Sequence, residues 1–426
     1  MLLNEKLQEI KAEVERDIND VTVKFKGLIE HNQGKILDAF LSNNISDFHF
    51  APSTGYGYGD TGRNALEMVF AHIFKTEDAL VRPNIISGTH AIYLSLRSIL
   101  KPGDCLLTIG KPYDTLQKVI GFTGKDPLSL INQGIECHQV PFEVHSDFSL
   151  FDKYIKKRPK AIFIQRSRGY TLRDALTIEK IKTLIDYIKE MSKDTYIIVD
   201  NCYGEFVEKK EPSEVGADIV AGSLIKNPGG GLAPSGGYLV GKKELIERAV
   251  SYLTAPGLGK EMGSSPMDKR LLFQGIFMAP MIVAQALETA VFAAKLFSDL
   301  GYRVSPTYQE VRGDIIQAIE LGNEEKLLKF CKVIQKYSPV DSMVTPEPGD
   351  LPGYESKVVM AAGTFVQGAS IELSADAPLR EPYAVFLQGS LVAEHGKIVV
   401  LKAAEAVVGG QQAVVGRRKS EVGLGF

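Results

Sequence analysis

A rhythm constrains this chain more than any other feature. Short apolar runs, many of them β-branched, alternate with stretches whose apolar residues recur at helical spacing. The runs "CLLTIG" (105–110), "AIFIQ" (161–165), "YIIVDN" (196–201), "ADIVAGSL" (217–224) and "GGYLVG" (236–241) read as strands. "ALVRPNIISG" (79–88) holds another, expected to end at Gly88. Between and around them, "NALEMVFAHIF", "THAIYLSLRSIL", "PYDTLQKVIGF" and "IEKIKTLIDYIKEM" read as helices. Continuous apolar strands separated by helices imply a mostly parallel sheet covered by helices on both faces, an α/β fold.

The 426 residues are too many for one ordinary core. We expect a helical N-terminal arm and contact loop over 1–62 and a large α/β domain over 63–300. A smaller α+β domain over 301–408 and a weakly ordered tail over 409–426 complete the division. The most membrane-like stretch, Met278 to Phe297, carries Pro280, Gln285, Glu288 and Lys295, so a long half-buried helix is expected there. The N-terminal "MLLNEKLQEIKAEVERD" lacks the apolar centre of a secretory signal. A cytoplasmic protein is the expectation. Net charge is −3, which gives no electrostatic case for nucleic acid or an acidic membrane as partner. Four cysteines stand far apart, with no CxxC and no Cys/His ligand spacing, and the seven histidines form no HExxH. Free thiols and no metal site are expected.

In a parallel sheet, ligands sit at the carboxyl ends of the strands. That rule selects Ser87–His90, Gly110–Asp114, Gln165–Gly169, Asp200–Tyr203 and Ser223–Asn227. Asp200 closes a run of four apolar residues, where a carboxylate needs a partner; an N-cap or a salt bridge is the ordinary alternative. Lys226 lies one strand–loop–strand passage later, between an apolar run and Gly229-Gly230-Gly231. A desolvated lysine beside a cationic ligand has a lowered pKa and attacks carbonyls. The three glycines would let the backbone pass close to a flat ligand. Gly88 and Thr89 precede a helix, whose first N–H groups suit a phosphate; a plain capped helix is the alternative. Tyr113 offers an aromatic face for a heteroaromatic ring. Pyridoxal phosphate is one cofactor that asks for all of these together: a lysine, a carboxylate for its ring nitrogen and a phosphate cradle, with a stacking face a common addition.

The set "SGTHA", "KPYDT", "VDNCYGEF" and "GSLIKNPGGG" resembles the fold-type-I pyridoxal-phosphate enzymes, over roughly residues 50 to 408. Within them it looks like the cysteine/methionine-metabolism branch of cystathionine lyases and methionine gamma-lyases. It is most similar to a divergent bacterial group described as aluminium-resistance or methionine gamma-lyase-like proteins. The resemblance implies Lys226 as the cofactor lysine, Asp200 at the pyridinium and Tyr113 on the ring and as an acid. Gly88, Thr89 and Ser223 would bind phosphate. It also implies a tyrosine from a neighbouring subunit reaching the phosphate: Tyr56, with Tyr58 as competitor, in a homodimer or homotetramer with active sites between subunits. Arg380, in "SADAPLREPY", would grip the carboxylate of an amino-acid substrate. The implied reaction is carbon–sulfur lysis; a synthase or an aminotransferase would use the same residues.

Two departures stand out. Gly57 occupies a place where the branch usually has arginine, and "RSRGY" replaces its usual Asn-Pro after "AIFIQ". Arg166 and Arg168 are therefore candidates for phosphate or substrate contact, with one of them facing solvent as the ordinary alternative. "GYGDTG" (57–62) matches G-x-G-x-x-G, but a dinucleotide fingerprint needs a strand before it, and "FHFAPSTGY" does not read as one. A non-enzymatic or nucleotide-binding stress protein is thus the reading of another class.

Overall fold

The computed structural model describes residues 3–351, 354 and 356–409; the tail expected over 409–426 lies, Gly409 apart, outside the described residues. The larger sheet has seven strands: β1 (Asp78–Arg82), β2 (Cys105–Ile109), β3 (Glu136–Val140), β4 (Ala161–Gln165), β5 (Tyr196–Asp200), β6 (Ile219–Ser223) and β7 (Gly237–Gly241). Their order is β1-β7-β6-β5-β4-β2-β3, and only β7 runs against its neighbours. The smaller sheet is antiparallel, in the order β10-β11-β12-β9-β8. Its strands are β8 (Arg303–Ser305), β9 (Gln317–Glu320), β10 (Val358–Ala361), β11 (Ser374–Pro378) and β12 (Ala384–Gln388).

The helices are α1 (Glu5–Thr22), α2 (Phe25–Ser42), α3 (Thr61–Ile73), α4 (Gly88–Ile99), α5 (Asp114–Ile120), α6 (Asp152–Ile155), α7 (Ile178–Met191), α8 (Lys243–Leu253), α9 (Arg270–Asp299), α10 (Glu324–Lys336) and α11 (Ala393–Val408). Successive strand side chains point to opposite faces, and the two faces feed separate cores. Ile197 and Val199 join α3, α7 and the first half of α9 on one face; Ile198 joins α4, α5 and α8 on the other. This two-sided burial explains the continuous apolar runs: a strand with helices on both faces has no side left for water.

The helix α9 is long and apolar enough to cross a membrane, the one such helix among the described residues, yet 67% of its apolar 18-residue stretch is buried inside the protein. Its first half packs on the large sheet; Val291 to Phe297 enter the core of the small one. The same second core receives Leu7, Val14 and Ile18 of α1. The first helix therefore packs on α9 and α11 at the C-terminal core.

One strand boundary differs from expectation. β1 ends at Arg82, not at Gly88, and a short passage follows to Ser87. Ser87 caps α4 by accepting the His90 N–H at 3.1 Å. The Pro83 ring removes a backbone donor and ends the ladder early.

Candidate active site

Four of the five selected strand ends, together with Ser87–Thr89 at the start of α4, converge on one cavity of about 340 Å³. It holds Gly88, Thr89, Tyr113, Asp200, Ser223, Lys226, Arg168 and Arg380 in its wall. β5 and β6 are adjacent and parallel, with Asp200 opposite Ala221. That register sets Lys226, three residues past β6, beside the carboxylate that ends β5.

Gly88 opens α4 against Cys202 and Ser223. A Cβ at Gly88 would come within 3.1 Å of the Cys202 Sγ and 3.4 Å of the Ser223 Cβ. The missing side chain keeps a concave cradle at the helix N-terminus, where backbone N–H groups and the helix dipole favour an anion. Beside it, the Thr89 and Tyr113 hydroxyls lie 2.7 Å apart. The Tyr113 N–H donates to Gln165 Oε1 at 2.9 Å, which fixes the start of α5 against the end of β4.

Asp200 is buried and accepts from the Cys202 N–H at 3.0 Å. Burial pushes its carboxyl up, while Lys226 and the Cys202 contacts oppose that. Burial, then the Asp200 charge, lift Tyr113 well above the usual phenol range. The Cys202 thiol is lifted for the same two reasons. Both stay protonated near neutrality, so Tyr113 is fitted to donate a proton and Cys202 is not a nucleophile. The Lys226 Nζ sits 3.9 Å from the Tyr203 ring centroid. Burial alone would lower the Lys226 pKa, but Cys202, Tyr203, Asp200 and Tyr113 hold it well above the ordinary lysine range. A lowered pKa is the expectation beside a cationic ligand; the protein's own groups alone, the Asp200 charge among them, hold the amine up instead.

The glycines after Lys226 also have a different task from the one expected. Gly229, Gly230 and Gly231 are absent from the cavity wall. A Cβ on Gly230 would meet the Gly275 carbonyl oxygen of α9 at 2.4 Å, and one on Gly231 would meet Leu391 at 2.5 Å. They let the lysine loop press on α9 and the C-terminal domain, not on a ligand. Gly275→Ala would place a Cβ 2.4 Å from the Gly229 carbonyl oxygen. We expect it to cost about 1–3 kcal/mol of stability, seen as a lower urea midpoint. An unchanged midpoint would show that the contact yields freely.

Of the two arginines, one needs correction. Arg166 is fully buried away from the cavity, donating to Asn201 Oδ1 and the Gly204 carbonyl at 2.8 Å each and to Glu208 at 2.9 Å. It therefore takes neither a phosphate-contacting nor a solvent-facing place. Arg168 touches the cavity, but its Nη1 donates to the Ser305 carbonyl and hydroxyl at 2.7 and 2.9 Å, and its backbone N–H to Asp314 at 3.0 Å. The side chain assigned to substrate thus ties the large domain to the C-terminal one. Arg380 is exposed at the cavity mouth, with Nη2 3.2 Å from the Tyr170 carbonyl oxygen. Tyr56 is 69% exposed, packs on Tyr58, and is not part of the cavity wall of its own chain. The "GYGDTG" glycines follow a short 3-10 turn (Asp47–Phe50), and Asp60 within them caps α3.

Among the wall residues that a sequence reading does not single out, Gln165, Cys202 and Tyr203 lie inside the selected strand ends but carry no distinctive signal, and Tyr354 sits in a loop without one. Tyr203 adopts φ +71°, a left-handed conformation unusual for an aromatic residue, directly under the Lys226 amine.

A family model for methionine gamma-lyase matches residues 7–408. YnbB of Bacillus subtilis (strain 168), an uncharacterised protein, is 45% identical over 408 residues, 95% of this chain and 97% of that one. A Listeria monocytogenes structure, described as a candidate cystathionine beta-lyase involved in aluminium resistance, is 49% identical. It covers 94% of this chain and 100% of its own, with a TM-score of 0.91. A pyridoxal-5'-phosphate-dependent protein of Escherichia coli, YhfS, shares the fold at 16% identity, with a TM-score of 0.61 over 89% of this chain and 96% of its own.

Proposed function

The chain belongs to the methionine gamma-lyase family, and from that premise we propose that it is a pyridoxal-phosphate-dependent carbon–sulfur lyase. Its substrate would be a sulfur-containing amino acid, and its products a thiol, ammonia and a 2-oxo acid. The observation that carries the reading is the convergence of Lys226, Asp200, Tyr113 and the open start of α4 on one cavity. Those residues fit the cofactor: an anion cradle that a Cβ at Gly88 would crowd, a buried carboxylate for a ring nitrogen, and an amine in the same cavity wall.

Bound there, pyridoxal phosphate supplies a sink for the electrons left when a proton leaves the substrate α-carbon. The chain's own residues do the rest. Gly88, Thr89 and Ser223 hold the phosphate. Asp200 keeps a negative charge against the ring nitrogen, and a cation paired with it offsets the charge that raises Lys226. Lys226 then takes the α-proton as a base. Tyr113, kept protonated by burial, gives a proton to the departing sulfur. Arg380 meets the substrate carboxylate with its planar fork at the cavity mouth. Tyr56, exposed on its own chain, supplies a phosphate contact to a second copy in a dimer or tetramer.

The test is a product assay on the purified protein with cysteine, cystathionine and methionine. Free thiol and ammonia in equal amounts are expected from at least one. A keto acid without free ammonia would replace lysis with transamination, and amino-acid products carrying a new side chain would indicate a synthase. A colourless protein whose melting temperature rises with a nucleotide would overturn the enzyme reading altogether.

A further inference from the structure

At the far end of the same sheet, the fold assembles a group of side chains that the proposed chemistry does not use. Cys105 is the first residue of β2 and pairs with Glu136, the first residue of the edge strand β3. His138 lies two residues further along β3, opposite Leu107. Alternation in a strand turns Cys105, Glu136 and His138 to one face of the sheet. The thiol sulfur, a carboxylate oxygen and an imidazole nitrogen all lie within 4.8 Å of one another. Cys105 is buried, His138 half-buried and Glu136 exposed, so the group opens to solvent on one side.

The group already gathers a cation. The Lys157 ammonium reaches Glu136 Oε1 at 3.0 Å and His138 Nε2 at 3.1 Å, and the His138 ring also contacts that same carboxylate oxygen. Glu136 Oε1 accepts from Lys157, and His138 Nε2 lies against both groups, so the oxygen and the nitrogen already stand beside one positive centre. A third potential ligand, the Cys105 sulfur, lies within 4.8 Å of both. Lysine fills this place with a flexible and largely exposed chain, its side chain 42% accessible, that can swing away.

We propose that Cys105, Glu136 and His138 form a binding site for a divalent transition metal of the zinc class. Sulfur, nitrogen and one oxygen make a borderline-soft donor set, suited to zinc and poorly matched to magnesium or calcium, which ask for six or more oxygens. Three protein ligands leave a fourth tetrahedral position for water. On binding, the Cys105 sulfur bonds to the metal and its proton passes to solvent, while the Lys157 ammonium is displaced. The site is separate from the catalytic cavity. The cavity lies past the carboxyl end of β2, and the metal group sits at its amino end, about 17 Å away along a five-residue strand.

Equilibrium dialysis of the tag-free, chelator-treated holoenzyme against zinc tests this. One zinc per chain is expected at about 10 µM free metal, with magnesium unable to compete. Glu136→Gln and His138→Gln are each expected to weaken binding at least about tenfold, and Lys157→Met to tighten it. Both glutamine changes fall on side chains that reach solvent, so the cofactor spectrum and melting temperature should stay as in the wild type. Cobalt serves as a second probe, because its sulfur-to-metal absorption should disappear in Cys105→Ser. A wild-type chain that retains no zinc, or a His138→Gln chain that binds it equally well, would overturn the site.

Discussion

Lys226→Ala is expected to lower turnover by about 10⁴-fold, since in the proposed mechanism it removes both the base and the covalent anchor for the cofactor. The purified variant should carry no borohydride-reducible chromophore, whereas reduction of the wild type should label the peptide that contains Lys226. The reasoning rests on access. Lys226 is held over the Tyr203 ring and among Asp200, Cys202 and Tyr113, at the meeting point of β5 and β6. The other lysine in the cavity wall is Lys111, an exposed residue at the rim. Lys111→Ala should keep the chromophore and a rate near that of the wild type. If the chromophore survives in Lys226→Ala and disappears in Lys111→Ala, the roles are reversed and the proposed mechanism is wrong.

The second large effect concerns pH. Glu205 lies in the core beneath the lysine loop, where Oε1 accepts from the Tyr238 hydroxyl at 2.8 Å and Oε2 is buried without a partner. Its backbone carbonyl accepts from the Asn227 side chain at 2.9 Å, one residue from Lys226. Burial pushes the carboxyl up to about 8. The folded protein thus keeps this proton in a range where the unfolded chain releases it. Stability from this group is complete below the unfolded pKa of about 4.5, declines as pH rises, and levels off above about 8. Across that window the loss amounts to roughly 4–5 kcal/mol. Glu205→Gln keeps the shape and the Tyr238 contact but cannot ionise. We expect its melting temperature to change much less between pH 5 and pH 8 than that of the wild type. Parallel curves for the two proteins would show that Glu205 is already ionised in the fold.

Both predictions depend on a junction that the sequence only outlines. The strands were legible because each is buried on two sides and must be continuously apolar; the five-residue runs at Ala161–Gln165 and Tyr196–Asp200 carry that mark. Their carboxyl ends then named most of the cavity, because parallel strands deliver all their ends to one side. The β1 boundary was less legible, since "VRPNIISG" stays apolar after the ladder has stopped at Arg82. Arg166 was misread for a related reason, and the tie of Arg168 to the C-terminal segment was not legible. A position at a strand end says where the backbone is, but the direction of a long side chain depends on distant partners, here Glu208, Ser305 and Asp314.

The sequence by itself thus determined the α/β class and the residues offered to the cavity. Strand periodicity and the grouping of Gly88, Tyr113, Asp200 and Lys226 after strands are local properties, readable one segment at a time. Only the tertiary structure decided what those residues face. The grouping of Asp200, Cys202, Tyr203 and Tyr113 around Lys226, the use of Gly230 against Gly275 of α9, and the approach of Cys105 to Glu136 and His138 each join segments far apart in the chain. Such contacts follow from strand order and register, and neither is written in the spacing of any one segment.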